Sequence, residues 1–126
     1  MQTGLSETGR FRRNERIKRP VEIHNLFKCG KRASVQGAKL FYAQNHLGFN
    51  RIGFPLPRKY GSAVERNLSK RLSREVYRIF KTHLNTGYDL LLLVYPGNDS
   101  FRTRCEQLQE LCLKAGLLAS PLSQMN

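Results

Sequence analysis

Apolar and polar positions along this chain follow two periods, and the switches between them mark its elements. After Pro20, residues Ile23, Leu26 and Phe27 stand at i, i+3 and i+4 and Gly30 follows. A short first helix is predicted, with proline at its first position and glycine at its end. Residues 32–36, 39–44 and 49–54 are β-rich and separated by Gly37 and by the turn Asn45-His46-Leu47-Gly48, so they read as three consecutive antiparallel strands. Pro55 and Pro57 end the third, because a proline inside a central strand removes a ladder donor.

The helical period returns at Ser62-Ala63-Val64-Glu65, a capping box in which hydroxyl and carboxylate each satisfy a backbone amide. This second helix is predicted to reach about Leu84, with Gly87 beyond it. Residues 88–95 are apolar on both alternating faces, as in a strand covered on both sides, and Pro96-Gly97 ends them. From Ser100, a candidate N-cap, Phe101, Cys105, Leu108, Leu111, Cys112 and Ala115 recur at helical spacing until Gly116. The order α-β-β-β-α-β-α predicts an α/β sandwich, one mixed four-stranded sheet packed against helices.

With 126 residues, 40% of them hydrophobic, the chain can line one core and not two. The expected organisation is a flexible basic arm over residues 1–15 and a single domain over 16–126, with regular structure starting at Arg19-Pro20. The longest apolar run, residues 90–95, is far short of a bilayer span. The first fifteen residues lack the apolar centre of a secretory signal, so the cytoplasm is the expected compartment and no membrane partner is expected. Cys29, Cys105 and Cys112 form no Cys-x-x-Cys pair, and His24, His46 and His83 are scattered, so neither a disulfide framework nor a protein-borne metal site is predicted. Cys105 and Cys112 share a helix face and read as small core residues.

Charge changes the picture most. Lys+Arg 22 against Asp+Glu 9 gives +13, and the excess is localised: residues 1–32 carry +6, residues 51–81 carry +7, and the remainder balances. A polyanionic partner is the first hypothesis, and a small-molecule substrate is not expected. On a helical wheel Arg66, Asn67, Lys70, Arg71, Arg74, Arg78 and Lys81 fall within less than half the circumference, while Val64, Leu68, Leu72, Val76 and Ile79 fill another arc and form the expected core face. Arg58 and Lys59 precede the helix N-terminus, whose free amides and dipole attract phosphate. The chain offers no carboxylate cluster for two-metal chemistry and no paired histidines with a lysine for metal-free strand cleavage. The chemistry expected of this helix is phosphate binding, to RNA or DNA.

Residues Gly61-Ser62-Ala63-Val64-Glu65-Arg66-Asn67-Leu68-Ser69-Lys70-Arg71-Leu72-Ser73-Arg74-Glu75 strongly resemble the signature of the bacterial ribonuclease P protein subunit, Gly-Asn-Ala-Val-x-Arg-Asn-Arg-x-Lys-Arg-x-x-Arg-Glu. The resemblance extends to Asn50-Arg51-Ile52-Gly53-Phe54, the Arg58-Lys59 pair, Arg16-Ile17-Lys18, Leu26-Phe27-Lys28-Cys29-Gly30 and residues 88–95, and covers roughly residues 16–117. Leu68 stands where the family has a third basic residue, and Ser69 and Ser73 replace usually aliphatic positions. If the core stripe follows this sequence, Leu68 is buried; if it follows the family, Leu68 is partly exposed and Leu72, Val76 and Phe80 carry the packing. The segment after the third strand, Pro55-Leu56-Pro57-Arg58-Lys59, keeps two cations of the family's Ser-Lys-Lys run but shortens the strand.

The resemblance implies the family's α-β-β-β-α-β-α fold. It also implies a protein subunit that assists a catalytic RNA in removing the 5′ leader of precursor tRNA. Hydrolysis then belongs to the RNA and its bound Mg²⁺, with no cofactor held by the protein alone. By the same resemblance, Arg58, Lys59, Arg66, Asn67, Lys70, Arg71, Arg74 and Arg78 hold the RNA. The leader lies in a cleft between the first helix and the sheet, with Phe27 and Tyr42 as its aromatics and Arg51 as a neighbouring cation. Tyr42 is expected to turn its ring to the strand face opposite Phe41. The competing class is a structural RNA-binding protein, such as a ribosomal protein that rigidifies rRNA. A helix-turn-helix is disfavoured because the basic helix follows a strand and a loop.

Overall fold

Among the described residues the elements follow in the expected order: α1 (Pro20–Cys29), β1 (Lys31–Val35), β2 (Ala38–Gln44), β3 (Arg51–Gly53), α2 (Ala63–Phe80), β4 (Tyr88–Val94) and α3 (Phe101–Ala115). The structure, a computed structural model, describes residues 11–97 and 99–122. Short 3-10 turns stand at Arg13–Glu15 and Lys81–His83. The second turn tightens the chain after Phe80, so the α-helix stops short of the expected Leu84.

The predicted caps are present. Pro20 opens α1, and the Gly30 amide closes it on the Leu26 carbonyl at 2.9 Å. At α2 the Ser62 hydroxyl accepts from the Glu65 amide at 3.2 Å while the Glu65 carboxylate accepts from the Ser62 amide at 2.8 Å. Gly61 stands at φ 153°, where a side chain would also strike the Glu65 carboxylate; glycine lets the capping box close. Ser100 caps α3 by accepting from the Thr103 amide at 3.1 Å.

The sheet order is β1-β2-β4-β3. The hairpin β1–β2 is antiparallel as expected, and β2 also pairs antiparallel with β4, Leu40 opposite Leu92. The third strand corrects the expectation of a consecutive antiparallel triplet: β3 is short and pairs in parallel with β4, Ile52 opposite Leu90. The aliphatic β4 is the reason. It is the strand best suited to burial on both faces, so it takes the central place between β2 and β3, and α2 forms the crossover that a parallel β3–β4 pair requires.

Helices cover both faces of the sheet. On one face α2 and α3 enclose the main core with Leu40, Ile52, Leu90 and Leu92; on the other α1 places Leu26 against Ile17, Phe41 and Leu91. The cysteines of α3 are buried as expected, and burial pushes the Cys112 thiol up to about 12, so it stays protonated and apolar in behaviour. Phe101, assigned to the same stripe, is instead exposed at the start of the helix.

Two further expectations are corrected. The basic arm does not run to residue 15: Phe11 packs edge-on against Phe54 and Tyr77, and Glu15 bonds Lys81 at 2.7 Å with both side chains largely buried. Residues 1–10 of the expected arm lie outside the described residues. The core face of α2 is also rotated from the predicted stripe. Val64 and Leu68 are 67% and 54% exposed and Ile79 is exposed too, whereas Ser69, Ser73, Val76, Tyr77 and Phe80 are buried. The serines lie inside because Arg104 of α3, 1% exposed, donates to the Ser73 hydroxyl at 2.6 Å and the Ser69 carbonyl at 3.1 Å, and pairs with Asp99. Of the two core registers, the one with Leu72, Val76 and Phe80 packing and Leu68 outside is the one adopted.

Candidate RNA interface

Rotating the core face of α2 leaves the cationic arc on the surface. Asn67 and Arg71 are exposed, Lys70 and Arg74 half-exposed, and none of the four has a hydrogen-bond or ion-pair partner among the described residues. Arg78 and Lys81 are engaged, Arg78 with Glu75 at 3.0 Å and Lys81 with Glu15. The arc is extended by a residue outside the predicted set. Arg16, held on β3 through its bridge to Ile52, lays its guanidinium over the Phe11 ring at 4.9 Å and shares one concavity with Arg71, Arg74 and Arg78. Glu75, paired with Arg78, is the one acid in that lining, so the cations of the concavity outnumber it and favour an anion with several charges.

Arg66 occupies the border between the cationic and core arcs. Its guanidinium donates to the Pro57 carbonyl at 2.8 Å and to the Arg58 carbonyl at 3.4 Å, so it clasps the segment that carries Arg58 and Lys59. Those two side chains are exposed beside the N-terminal turn of α2. Arg66 therefore shapes the interface from below, while Arg58 and Lys59 face solvent.

The cleft between α1 and the sheet contains one of its two predicted aromatics. Phe27, 36% exposed, stands edge-on to Phe41 with ring centroids 4.8 Å apart. Tyr42 is on the opposite face: its neighbour across the ladder is the buried Leu90, and it packs on the α2–α3 core. Its predicted place in the cleft is thus corrected. Side chains alternate along β2, so the face that carries Phe41 cannot also carry Tyr42. The same alternation places Lys39 beside Phe41 and Arg32 across from it, two cations that sequence reasoning missed and that the parity of Phe41 would have indicated.

Arg51 does not present a free charge. Its guanidinium grips Asp89 through two bonds of 2.9 and 2.7 Å and reaches Glu22 of α1 at 3.4 Å. The hydrogen bonds to Asp89 raise its pKa further above an already high value. Its role in this arrangement is to fasten α1 to the sheet, which sets the width of the cleft. No group of three or more His, Cys, Asp or Glu among the described residues could hold a metal ion, and no helix among them is long and apolar enough to cross a membrane.

The arrangement is a helix with an exposed cationic face beside an aromatic cleft, and it has counterparts among known proteins. The "Ribonuclease P protein component" of Dictyoglomus turgidum (strain DSM 6724 / Z-1310) is 34% identical over 112 residues, covering 86% of this chain and 94% of the relative. That of Thermoanaerobacter sp. (strain X514) is 30% identical over 106 residues, covering 82% and 91%. Among solved structures, the RNase P protein from Thermotoga maritima superposes with a TM-score of 0.72 at 26% identity, over 79% of this chain and 96% of that one. The model of the Ribonuclease P family matches residues 11–116, from the ring of Phe11 that supports Arg16 to the glycine that closes α3. Fold, signature and extent of match agree, and the chain belongs to the ribonuclease P protein family.

Proposed function

We propose that this chain is the protein subunit of a ribonucleoprotein that removes the 5′ leader of precursor tRNA, binding the catalytic RNA along α2 and the leader between α1 and the sheet. The observation that carries the reading is the arc of Asn67, Lys70, Arg71 and Arg74, solvent-facing and without intramolecular partners among the described residues. Arg16, Arg58 and Lys59 extend it at its two ends. Cations held on a rigid helix offset the mutual repulsion of closely packed RNA phosphates, which lets the RNA fold at lower metal-ion concentration. On this reading Mg²⁺ belongs to the RNA. The protein acts in the cytoplasm on precursor tRNA.

Precursor-tRNA cleavage by the cognate RNA, with and without the protein, tests this. Addition of the protein should stimulate specific 5′ cleavage at low Mg²⁺, and highly purified RNA-free protein should cleave nothing. Tight binding to structured RNA without any stimulation would instead support a structural RNA-binding role.

The leader contact makes a separate expectation. A half-exposed ring backed by Phe41, whose own strand neighbours on that face are Lys39 and Arg32, can stack one unpaired base. Phe27→Ala should weaken precursor-tRNA binding by the reconstituted particle by about 1–3 kcal/mol, leaving mature tRNA nearly unaffected. Equal weakening of both would remove Phe27 from the leader site.

A further inference from the structure

The segment between β3 and α2 carries two exposed cations, yet it has no regular structure of its own, so something must fix where Arg58 and Lys59 point. Two clasps do so. From the helix side Arg66 donates to the carbonyls of Pro57 and Arg58. From the core side comes Tyr60, a buried residue whose amide closes a turn on the Pro57 carbonyl at 3.1 Å. Its hydroxyl lies 2.9 Å from the Ser69 hydroxyl and bonds the Asp99 carboxylate. Asp99 is in turn held by Arg104, whose guanidinium also bonds Ser69 and Ser73 of α2. The Tyr60 hydroxyl thus ties the cation-bearing segment to both helices at one buried point. Burial and the neighbouring Asp99 raise its pKa, so it remains a donor.

We propose that Tyr60 is a positioning residue for RNA binding: through the Ser69–Asp99–Arg104 cluster its hydroxyl fixes residues 57–61 so that Arg58 and Lys59 meet phosphate beside the first turn of α2. The proposal rests on the reading of α2 as an RNA-binding helix. It gives the buried serines a function beyond packing, because a small polar residue at 69 is what both the tyrosine and the arginine reach.

The test uses the full chain and the ribonuclease P RNA encoded by the same genome, with the dissociation constant measured over a range of salt. Tyr60→Phe keeps the ring and removes the hydroxyl. A loss of folded protein would lower the active fraction without altering the salt slope, whereas misplacing two phosphate contacts lowers the slope itself. The slope for Tyr60→Phe should fall toward that of Arg58→Ala/Lys59→Ala, by somewhat under about two units, and adding Tyr60→Phe to that double variant should change nothing further. An unchanged slope, or effects that simply add, would overturn the proposal. Should Tyr60→Phe fail to fold, Ser69→Ala carries the same comparison, with a smaller fall expected and an unchanged slope again overturning it. Lys70→Ala/Arg74→Ala separates the two levels. If that variant binds RNA as tightly as the natural chain, the reading of α2 fails; if it weakens binding while Tyr60→Phe leaves the slope unchanged, only the positioning role fails.

Discussion

Replacing Lys70, Arg71 and Arg74 together by alanine is expected to weaken RNA binding by about ten- to a hundredfold at moderate salt and to lower the salt slope by about two to three units, with the fold intact. None of the three has an intramolecular partner among the described residues, so their loss leaves no buried group unsatisfied. Arg66 is left out because it clasps the Pro57 carbonyl, and its loss would mix electrostatics with loop order. Binding isotherms across a salt series, with thermal melting to confirm the fold, decide the matter. A triple variant with the natural slope would show that the polyanion does not lie along α2.

Arg104→Ala should have the largest effect on stability, lowering the unfolding free energy by about 3–5 kcal/mol. The guanidinium is almost fully enclosed; removing it leaves Asp99 without its cation and the inward hydroxyls of Ser69 and Ser73 facing a void. Arg104→Met combined with Ser69→Ala and Ser73→Ala should recover much of the loss, because an apolar replacement of similar volume needs no hydrogen bonds. Urea denaturation of the two variants checks this; a loss below about 1 kcal/mol for Arg104→Ala would mean the cluster is not a structural anchor.

Much of the fold is legible in local chemistry, and the failures share a cause. The caps at Ser62 and Ser100, the glycine stops and the buried strand β4 depend on a few adjacent residues, and the structure has them as expected. The pairing of β3 depends on which strand outcompetes it for the centre of the sheet, which no local pattern states. The core face of α2 was obscured because Val64, Leu68 and Ile79 look like a packing stripe, while the true one contains two serines. Serine becomes an interior residue only when a partner is supplied from elsewhere, here Arg104, a cation sitting one residue before Cys105 in the buried stripe of α3. The exposed cations of α2 are legible by helical spacing, whereas Arg16, Arg32 and Lys39 are not, because strand pairing and packing bring them beside that helix and the cleft. The Tyr42 ring lies on the face opposite Phe41, as expected, but that face is not the cleft: both faces of β2 carry apolar residues, and only the docking of α1 decides which one becomes the cleft.

The position of β4 between β2 and β3 also orders events during synthesis. As the chain leaves the ribosome from its N-terminus, β2 and β3 emerge before the strand that must lie between them, and the sheet stays open until residues 88–94 arrive. The basic helix is made within that interval, and its arginine anchor comes later still, on α3. A nascent chain therefore exposes this basic helix beside ribosomal RNA before the contacts that fix its rotation exist. The direction in which Lys70, Arg71 and Arg74 point is fixed only when α3 docks and Arg104 reaches Ser69 and Ser73.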